Sequence, residues 1–188
     1  MYNNCIKILE RTIELRKRIK LSIPKLIKEI LDQDTTYFNI KLERLCNLIV
    51  QEMGYEPTLR IQDKLKTERK IPITFNLNER NTNYLQNMIL NSTEKVETEF
   101  FRSLLSTYAN LHPSLREKVI KKNLYLELEL TIRDSLTIKI SYDNKITDIL
   151  PLSFQRDKTN GYNWLEAKVD TEKYLFRLRD IDILKIGI

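Results

Sequence analysis

Residues Ile19–Pro24 read IKLSIP and residues Ile71–Asn78 read IPITFNLN. In the first, Ile19, Leu21 and Ile23 fall on one side of an extended chain, with Lys20 and Ser22 on the other. In the second, Ile73, Phe75 and Leu77 alternate with Thr74 and Asn76. Such a period of two marks a half-buried strand. Each run leads straight into two segments of helical period. After the first come residues 25–38, with the stripe Leu26, Ile27, Ile30 and Leu31, and residues 41–54, with Leu42, Leu45, Cys46, Ile49 and Val50. After the second come residues 79–91, with Tyr84, Leu85, Met88 and Ile89, and residues 96–111, with Phe100, Phe101, Leu104, Leu105 and Tyr108. One strand and two amphipathic helices are too small to fold alone. Two copies can fold together with their strands paired. The connecting residues 56–70 span roughly 50 Å when extended, against about 22 Å for a helix of similar length, so the pair can form within one chain.

Working outward, residues 4–17 carry a further amphipathic helix. Pro24 suits a first helical position, Asn39 and Asn78 read as N-caps, and Gly54 reads as a helix stop. Leu111-His112-Pro113 breaks the last long helix, and Ser114 can cap a short one through Ile120. From Asn123 onward the alternation is of strand type: LYLELELTIRD, SLTIKISYD, KITDILPLSF, YNWLEAKV and KYLFRLRDIDILKI, with turn signals at Asp143-Asn144 and Asn160-Gly161. Five short strands suggest a small barrel or a strongly bent sheet. The expected organisation is therefore α+β: an N-terminal helix (1–17), a pseudo-symmetric helical module (18–121, units 18–55 and 71–121, linker 56–70) and a C-terminal β-module (122–188).

The net charge is +6, of which residues 1–70 carry +5, residues 71–121 carry +1 and residues 122–188 carry none. A basic excess at one end suits a polyanion such as nucleic acid, although a solvated surface explains charge alone equally well. With three glycines, Gly-rich phosphate loops are disfavoured. Cys5 and Cys46 form no zinc or redox motif, and Cys46 reads as a core thiol, so a reducing cytoplasm is the expected location. No signal peptide, transit peptide or membrane span is read. His112 sits beside a helix-breaking proline, and no nucleophile has a partnered base. Glu127 and Glu129 share one face of an expected strand as an outward polar face. The residues thus point to a binding protein, with no catalytic residue, metal or cofactor.

The repeated unit resembles the ribbon-helix-helix family of DNA-binding proteins, on the residues Ile19–Pro24 and Ile73–Asn78 with two helices after each. The resemblance implies a two-stranded ribbon that fits the DNA major groove and presents Arg18, Lys20 and Ser22 from one strand and Thr74 and Asn76 from the other. It also implies a phosphate seat at the start of the second helix, for which Asn39, Lys41 and Arg44 are suited in the first unit. In the second unit Glu94, Glu97 and Glu99 occupy that place.

Residues 123–188 resemble the WYL domain, a small Sm-like β-barrel of bacterial regulators. Ile140-Ser141-Tyr142, Leu150-Pro151-Leu152, Asn163-Trp164-Leu165 and Phe176-Arg177-Leu178-Arg179-Asp180-Ile181 occur in the family's order. The first position of the eponymous tripeptide is Asn163, and Tyr174 stands where an arginine is usual. The resemblance implies a ligand site at Tyr142, Trp164, Arg177 and Arg179, since aromatics stack on bases and arginines grip phosphate. Core packing for the aromatics and solvation for the arginines, placed on one face of a last strand, remain open readings. The two modules together resemble WYL-domain transcriptional regulators and the accessory proteins of type VI CRISPR systems, which bind single-stranded RNA and stimulate an RNA-guided nuclease. DNA or single-stranded RNA, a CRISPR effector protein and a second copy of the chain are the partners this implies. A protein-interaction module without nucleic-acid contact is the alternative class.

Overall fold

Strand β1 (Arg18–Pro24) pairs antiparallel with strand β2 (Lys70–Asn76) within the one chain, with Arg18 opposite Asn76 and Pro24 opposite Lys70. The computed structural model describes residues 16–55 and 69–186. Residues 4–15 of the helix expected over 4–17, and linker residues 56–68, lie outside them; Arg16 and Lys17 are not helical. Ile19, Leu21, Ile23, Ile73 and Phe75 are buried, so the ribbon turns one apolar face inward, as its alternation requires.

Four helices lie behind it: α1 (Lys25–Tyr37), α2 (Leu42–Met53), α3 (Glu79–Asn91) and α4 (Glu97–Asn110). Ile27, Leu31, Leu45, Cys46, Ile49, Leu85, Met88, Phe100, Phe101 and Leu104 join the strands in one core. Each fully buried side chain of this size contributes roughly 1.5–3 kcal/mol. Phe101 meets both Phe75 and Phe100 edge-on, at 5.8 and 5.3 Å. Burial pushes the Cys46 thiol up to about 12, as a core thiol requires. Leu26 and Tyr84, expected on the buried stripes, are instead about half exposed, because each sits at the rim of its stripe.

The caps differ in part from expectation. Asn78 caps α3, its side chain accepting from the Asn81 N–H at 2.8 Å. Asn39 does not cap α2, which starts after Lys41 with no side-chain cap. Asn39 has φ 50° and follows the Phe38 N–H bond to the Asp34 carbonyl. It is the left-handed residue that stops α1, a role asparagine tolerates. The short helix α5 (Pro113–Ile120) is capped by His112 rather than Ser114, the His112 ring nitrogen accepting from the Ser114 N–H at 3.3 Å.

Residues 122–133 are helix α6 (Lys122–Arg133), not a strand. The run LYLELEL fits a period of two, yet Leu124, Tyr125, Leu128 and Ile132 also form a helical stripe. Leucine and glutamate favour helix, and the stripe packs on the sheet. Leu126 and Leu130, inward in a strand, are about half exposed. Glu127 and Glu129 therefore share no strand face. The five strands that follow are β3 (Ile138–Tyr142), β4 (Lys145–Arg156), β5 (Asn163–Val169), β6 (Glu172–Arg177) and β7 (Asp182–Ile186), antiparallel in the order β6-β5-β4-β3-β7. The expected last strand is two strands broken by a 3-10 turn, Leu178–Asp180. Among the described residues β6 and β7 do not pair, so the sheet is open where a closed barrel was expected. Its bend comes from β4, which pairs β3 with its first half and β5 with its second. Pro151 lies at the register shift in β4, a place where a missing N–H is tolerated. Asp143 and Asn144 both have positive φ, the geometry of a tight hairpin turn. No helix among the described residues is long and apolar enough to cross a membrane.

Two buried carboxylates join the helical core to the sheet. Asp34, fully buried in α1, accepts from Tyr108 of α4 at 2.6 Å, from Arg116 of α5 at 2.8 and 3.2 Å, and from the Tyr162 hydroxyl before β5. Glu117, fully buried in α5, accepts the Asn163 backbone N–H at 2.7 Å and its side-chain amide at 2.9 Å through Oε2. Its Oε1 has no hydrogen-bond partner. Burial pushes the Glu117 carboxyl up to about 7, against the lowering effect of the Asn163 bonds.

Removing the Asp34 charge leaves Arg116 buried and unpaired. Asp34→Ala should cost about 3–5 kcal/mol, read as a lower midpoint in urea unfolding. Glu117 holds its proton more tightly folded than unfolded. Its contribution to stability is complete below pH 4.5 and fades as pH rises through about 7, a loss of roughly 3 kcal/mol. In Glu117→Gln that stretch of the pH–stability profile should flatten; an unchanged profile would locate the titration elsewhere.

Candidate nucleic-acid interface

The solvent face of the ribbon follows from its register. Arg18 lies opposite Asn76, Lys20 opposite Thr74, Ser22 opposite Pro72, and Pro24 opposite Lys70. Arg18, Lys20, Lys70 and Thr74 are exposed, while Ser22 and Asn76 are half-buried. The two strands give this face three cations and no acid, none of the three forms an ion pair with a described residue, and the exposed Glu43 carboxylate of α2 borders the face at Asn76. Asn76 is less available than expected. Its side-chain amide donates to Glu43 of α2 at 3.1 Å, and its carbonyl accepts from Asn47 at 2.8 Å. An asparagine tethered in this way is not free to pair with adenine.

The two units differ where each second helix begins. Lys41 and Arg44 are exposed at the start of α2, beside the left-handed Asn39. The start of α4 holds Glu97 and Glu99. Glu97 pairs with Lys17 and Glu99 with Arg102, whose Nε donates to the Ser22 carbonyl at 3.0 Å. The acids of the second unit thus fasten its helix to the ribbon strand, and they would repel a phosphate there.

On the sheet, Trp164 and Arg177 come together, and Tyr142 lies beside the Arg177 backbone. Trp164 and Arg177 are a cross-strand pair, the guanidinium 5.1 Å from the ring centroid. The Arg177 backbone N–H reaches the Tyr142 hydroxyl at 3.5 Å, and Tyr142 meets Phe176 edge-on at 5.1 Å. Both aromatics are half-buried: Tyr142 packs on the sheet core, whereas Trp164 alternates with the buried Leu165 and lies on the other face of β5 with Arg177. Arg179 is not on their face. The 3-10 turn ends the strand at Arg177 and carries Arg179 to the helical module. There its guanidinium lies 4.5 Å from the Tyr37 ring centroid, Nη1 donates to the Tyr37 carbonyl at 3.1 Å, and Nε donates to Asp180 at 3.3 Å. Tyr37 in turn stacks on Tyr162 at 3.8 Å. Chiefly through burial, the Tyr37 phenol is pushed up to about 12. Asn163, at the first position of the tripeptide, is buried against Glu117 and serves the junction between the cores.

Sequence reading missed the residues that organise this junction: Asp34, Tyr37, Arg116, Glu117 and Lys121. One signal was available. Asp34 lies three residues after Leu31 and seven after Ile27, on the apolar stripe of α1. An acid on a buried stripe requires donors from elsewhere in the fold.

No family model matches the chain, and no curated protein matches it. Among solved structures, the fold is similar to that described as the crystal structure of a CRISPR Cas-related protein, with a TM-score of 0.65 and 12% sequence identity. The likeness covers 93% of this chain and 63% of that one. It is a likeness of fold over nearly all of this chain, which spans less than two thirds of that protein's length.

Trp164 is the one tryptophan of the sequence, so its emission reports directly on the sheet cluster. Arg177→Ala should shift that emission while lowering stability by no more than about 1 kcal/mol, the scale of an exposed cation–π pair. An unshifted spectrum would separate Arg177 from Trp164.

Proposed function

We propose that the chain is a nucleic-acid-binding regulatory protein that works as an accessory of a CRISPR system and engages single-stranded RNA. Binding, not catalysis, is its activity, and the effector protein is its partner. The observation that carries this reading is the solvent face of the β1–β2 ribbon: Arg18, Lys20 and Lys70 among small polar side chains, with no acid from either strand and no ion pair among the described residues. An acid-free basic ribbon is suited to follow a phosphate backbone. The paired strands with two helices behind each agree with the ribbon-helix-helix resemblance. Trp164 and Arg177 supply an aromatic and basic pair of the kind the WYL resemblance implies. The fold likeness to a CRISPR Cas-related protein supports the accessory role.

Two features favour a single strand over duplex DNA. Asn76 is tied to Glu43, which leaves Lys20, Ser22 and Thr74 as a meagre set for reading base edges. The acidic start of α4 removes one of the two phosphate seats that symmetric operator binding uses. Transcriptional regulation through duplex DNA is therefore the second reading.

Labelled single-stranded RNA and duplex DNA, titrated at two salt concentrations, test this. RNA should bind more tightly, with affinity falling as salt rises. Lys20→Ala combined with Lys70→Ala should reduce the log–log salt slope by about 0.7 for each cation removed. Tighter duplex binding that Lys20→Ala abolishes would establish the DNA reading. If neither polymer binds at low salt, the ribbon serves a protein partner instead.

A further inference from the structure

One concave feature near the candidate residues belongs to neither motif alone. A cleft of about 590 Å³ opens where the helical module meets the sheet module, within the range of small-ligand sites. Its walls include Asn39 and Arg44 from the loop and first turn leading into α2, Lys121 from the break between α5 and α6, and Arg179 and Asp180 from the 3-10 turn. Three cations face it against one acid, and Arg179 already holds that acid through Nε.

Each cation is placed differently. Arg44 is exposed and forms no ion pair with a described residue. Lys121 is anchored through a single bond, its ammonium donating to the Arg179 carbonyl at 3.1 Å, so its charge is not neutralised. Arg179 is clamped: Tyr37 covers one face of the guanidinium and accepts from Nη1. This leaves Nη2 and the other face for a ligand. A second hollow shares Thr36, Tyr37 and Arg179 with the first and is lined by Glu29 and Asp32. Those two acids are paired with Lys25 and Lys28, so the cations without an acid partner are those on the side of Arg44 and Lys121.

We infer that this cleft seats phosphate groups of a single-stranded nucleic acid, gripped by Arg44 and Lys121, with a base stacked on the clamped guanidinium of Arg179. Planar guanidinium groups serve unstacked bases as a stacking surface. The inference rests on the nucleic-acid reading but does not use the ribbon. It makes the bound strand a bridge, since the cations come from both modules. The carboxylates nearby do not oppose it: Glu43 is turned to Asn76, and Glu117 is buried beneath the junction with its proton affinity raised.

The test uses the full chain, a labelled short oligouridylate and, separately, uridine monophosphate. Arg44→Glu and Lys121→Gln should each weaken oligonucleotide binding roughly tenfold while thermal melting stays at the wild-type midpoint. Lys139→Ala, an exposed cation on β3, should bind as the wild type does. A 4-thiouridine oligonucleotide should crosslink at Phe38 or Arg179, both of which line the cleft. Wild-type affinity in both cleft variants, with loss only in the Lys20 and Lys70 variants, would overturn the cleft and leave the ribbon reading standing. Equal affinity for the monophosphate and the oligonucleotide would overturn the bridging strand and make the cleft a small-effector site. Failure of both probes to bind the wild type at low salt would end the nucleic-acid reading and the cleft together. Should a substitution lower the melting point, the crosslink position in the wild type decides the matter on its own.

Discussion

A carboxylate with no exposure to water has to be surrounded by donors, and Asp34 gathers its donors from three other parts of the chain. Tyr108 comes from α4, Arg116 from α5 and Tyr162 from the loop before β5. The net stability of such a buried pair is small, because desolvation offsets most of the attraction. Its effect is positional. Arg116 sets α5 against α1, and the next residue, Glu117, then receives Asn163 at the start of β5. Tyr162, held by Asp34, provides the surface on which Tyr37 stacks, and Tyr37 provides the one on which Arg179 rests. The placement of the sheet module on the helical module, and with it the cleft between them, follows from the demands of one acid. Gly161 belongs to the same arrangement: it has φ 78°, and a Cβ there would lie 3.1 Å from Pro113 at the start of α5.

The two strand-helix-helix units are equal in architecture and unequal in surface chemistry. In the first, the cations near the second helix are open to solvent. In the second, Glu97 and Glu99 draw Lys17 and Arg102 into ion pairs along the ribbon. Exposed pairs of this kind contribute little stability individually, but they occupy charges that would otherwise meet a polyanion. The second unit holds cations in ion pairs within the fold, and the first leaves Lys41 and Arg44 exposed. Net charge does not distinguish the units, since residues 18–55 and residues 71–121 each carry +1; the difference is in which charges are paired.

What the sequence made legible was whatever depends on period. Ile19, Leu21, Ile23, Ile73 and Phe75 announced a ribbon because only one register buries all of them, and the four helices behind it carried clear stripes. Residues 124–130 were misread because alternating leucine and glutamate satisfies a period of two and a helical period at once. The decision fell to Tyr125 and Leu128, which reach the sheet core only from a helix. Arg179 was misplaced for a related reason, since two residues of offset imply one face only while the strand continues, and the strand stops at Arg177. Of the sheet residues, Trp164 and Arg177 pair across two strands, while Tyr142 reaches only the Arg177 backbone. The junction was not legible, because its makers are single polar residues scattered from Asp34 to Asn163, and no local pattern connects them.

Pairing β1 with β2 inside one chain has a consequence for direction. When two identical chains form such a ribbon, a twofold axis makes both ends alike, and the ribbon reads the same either way round. Here one end carries Arg18 beside Asn76, and the other carries Pro24 beside Lys70, so the surface has a head and a tail. A palindromic duplex offers nothing to that difference. A single strand, whose 5′ and 3′ ends are chemically distinct, does, and a polar surface can hold a polar polymer in one orientation only.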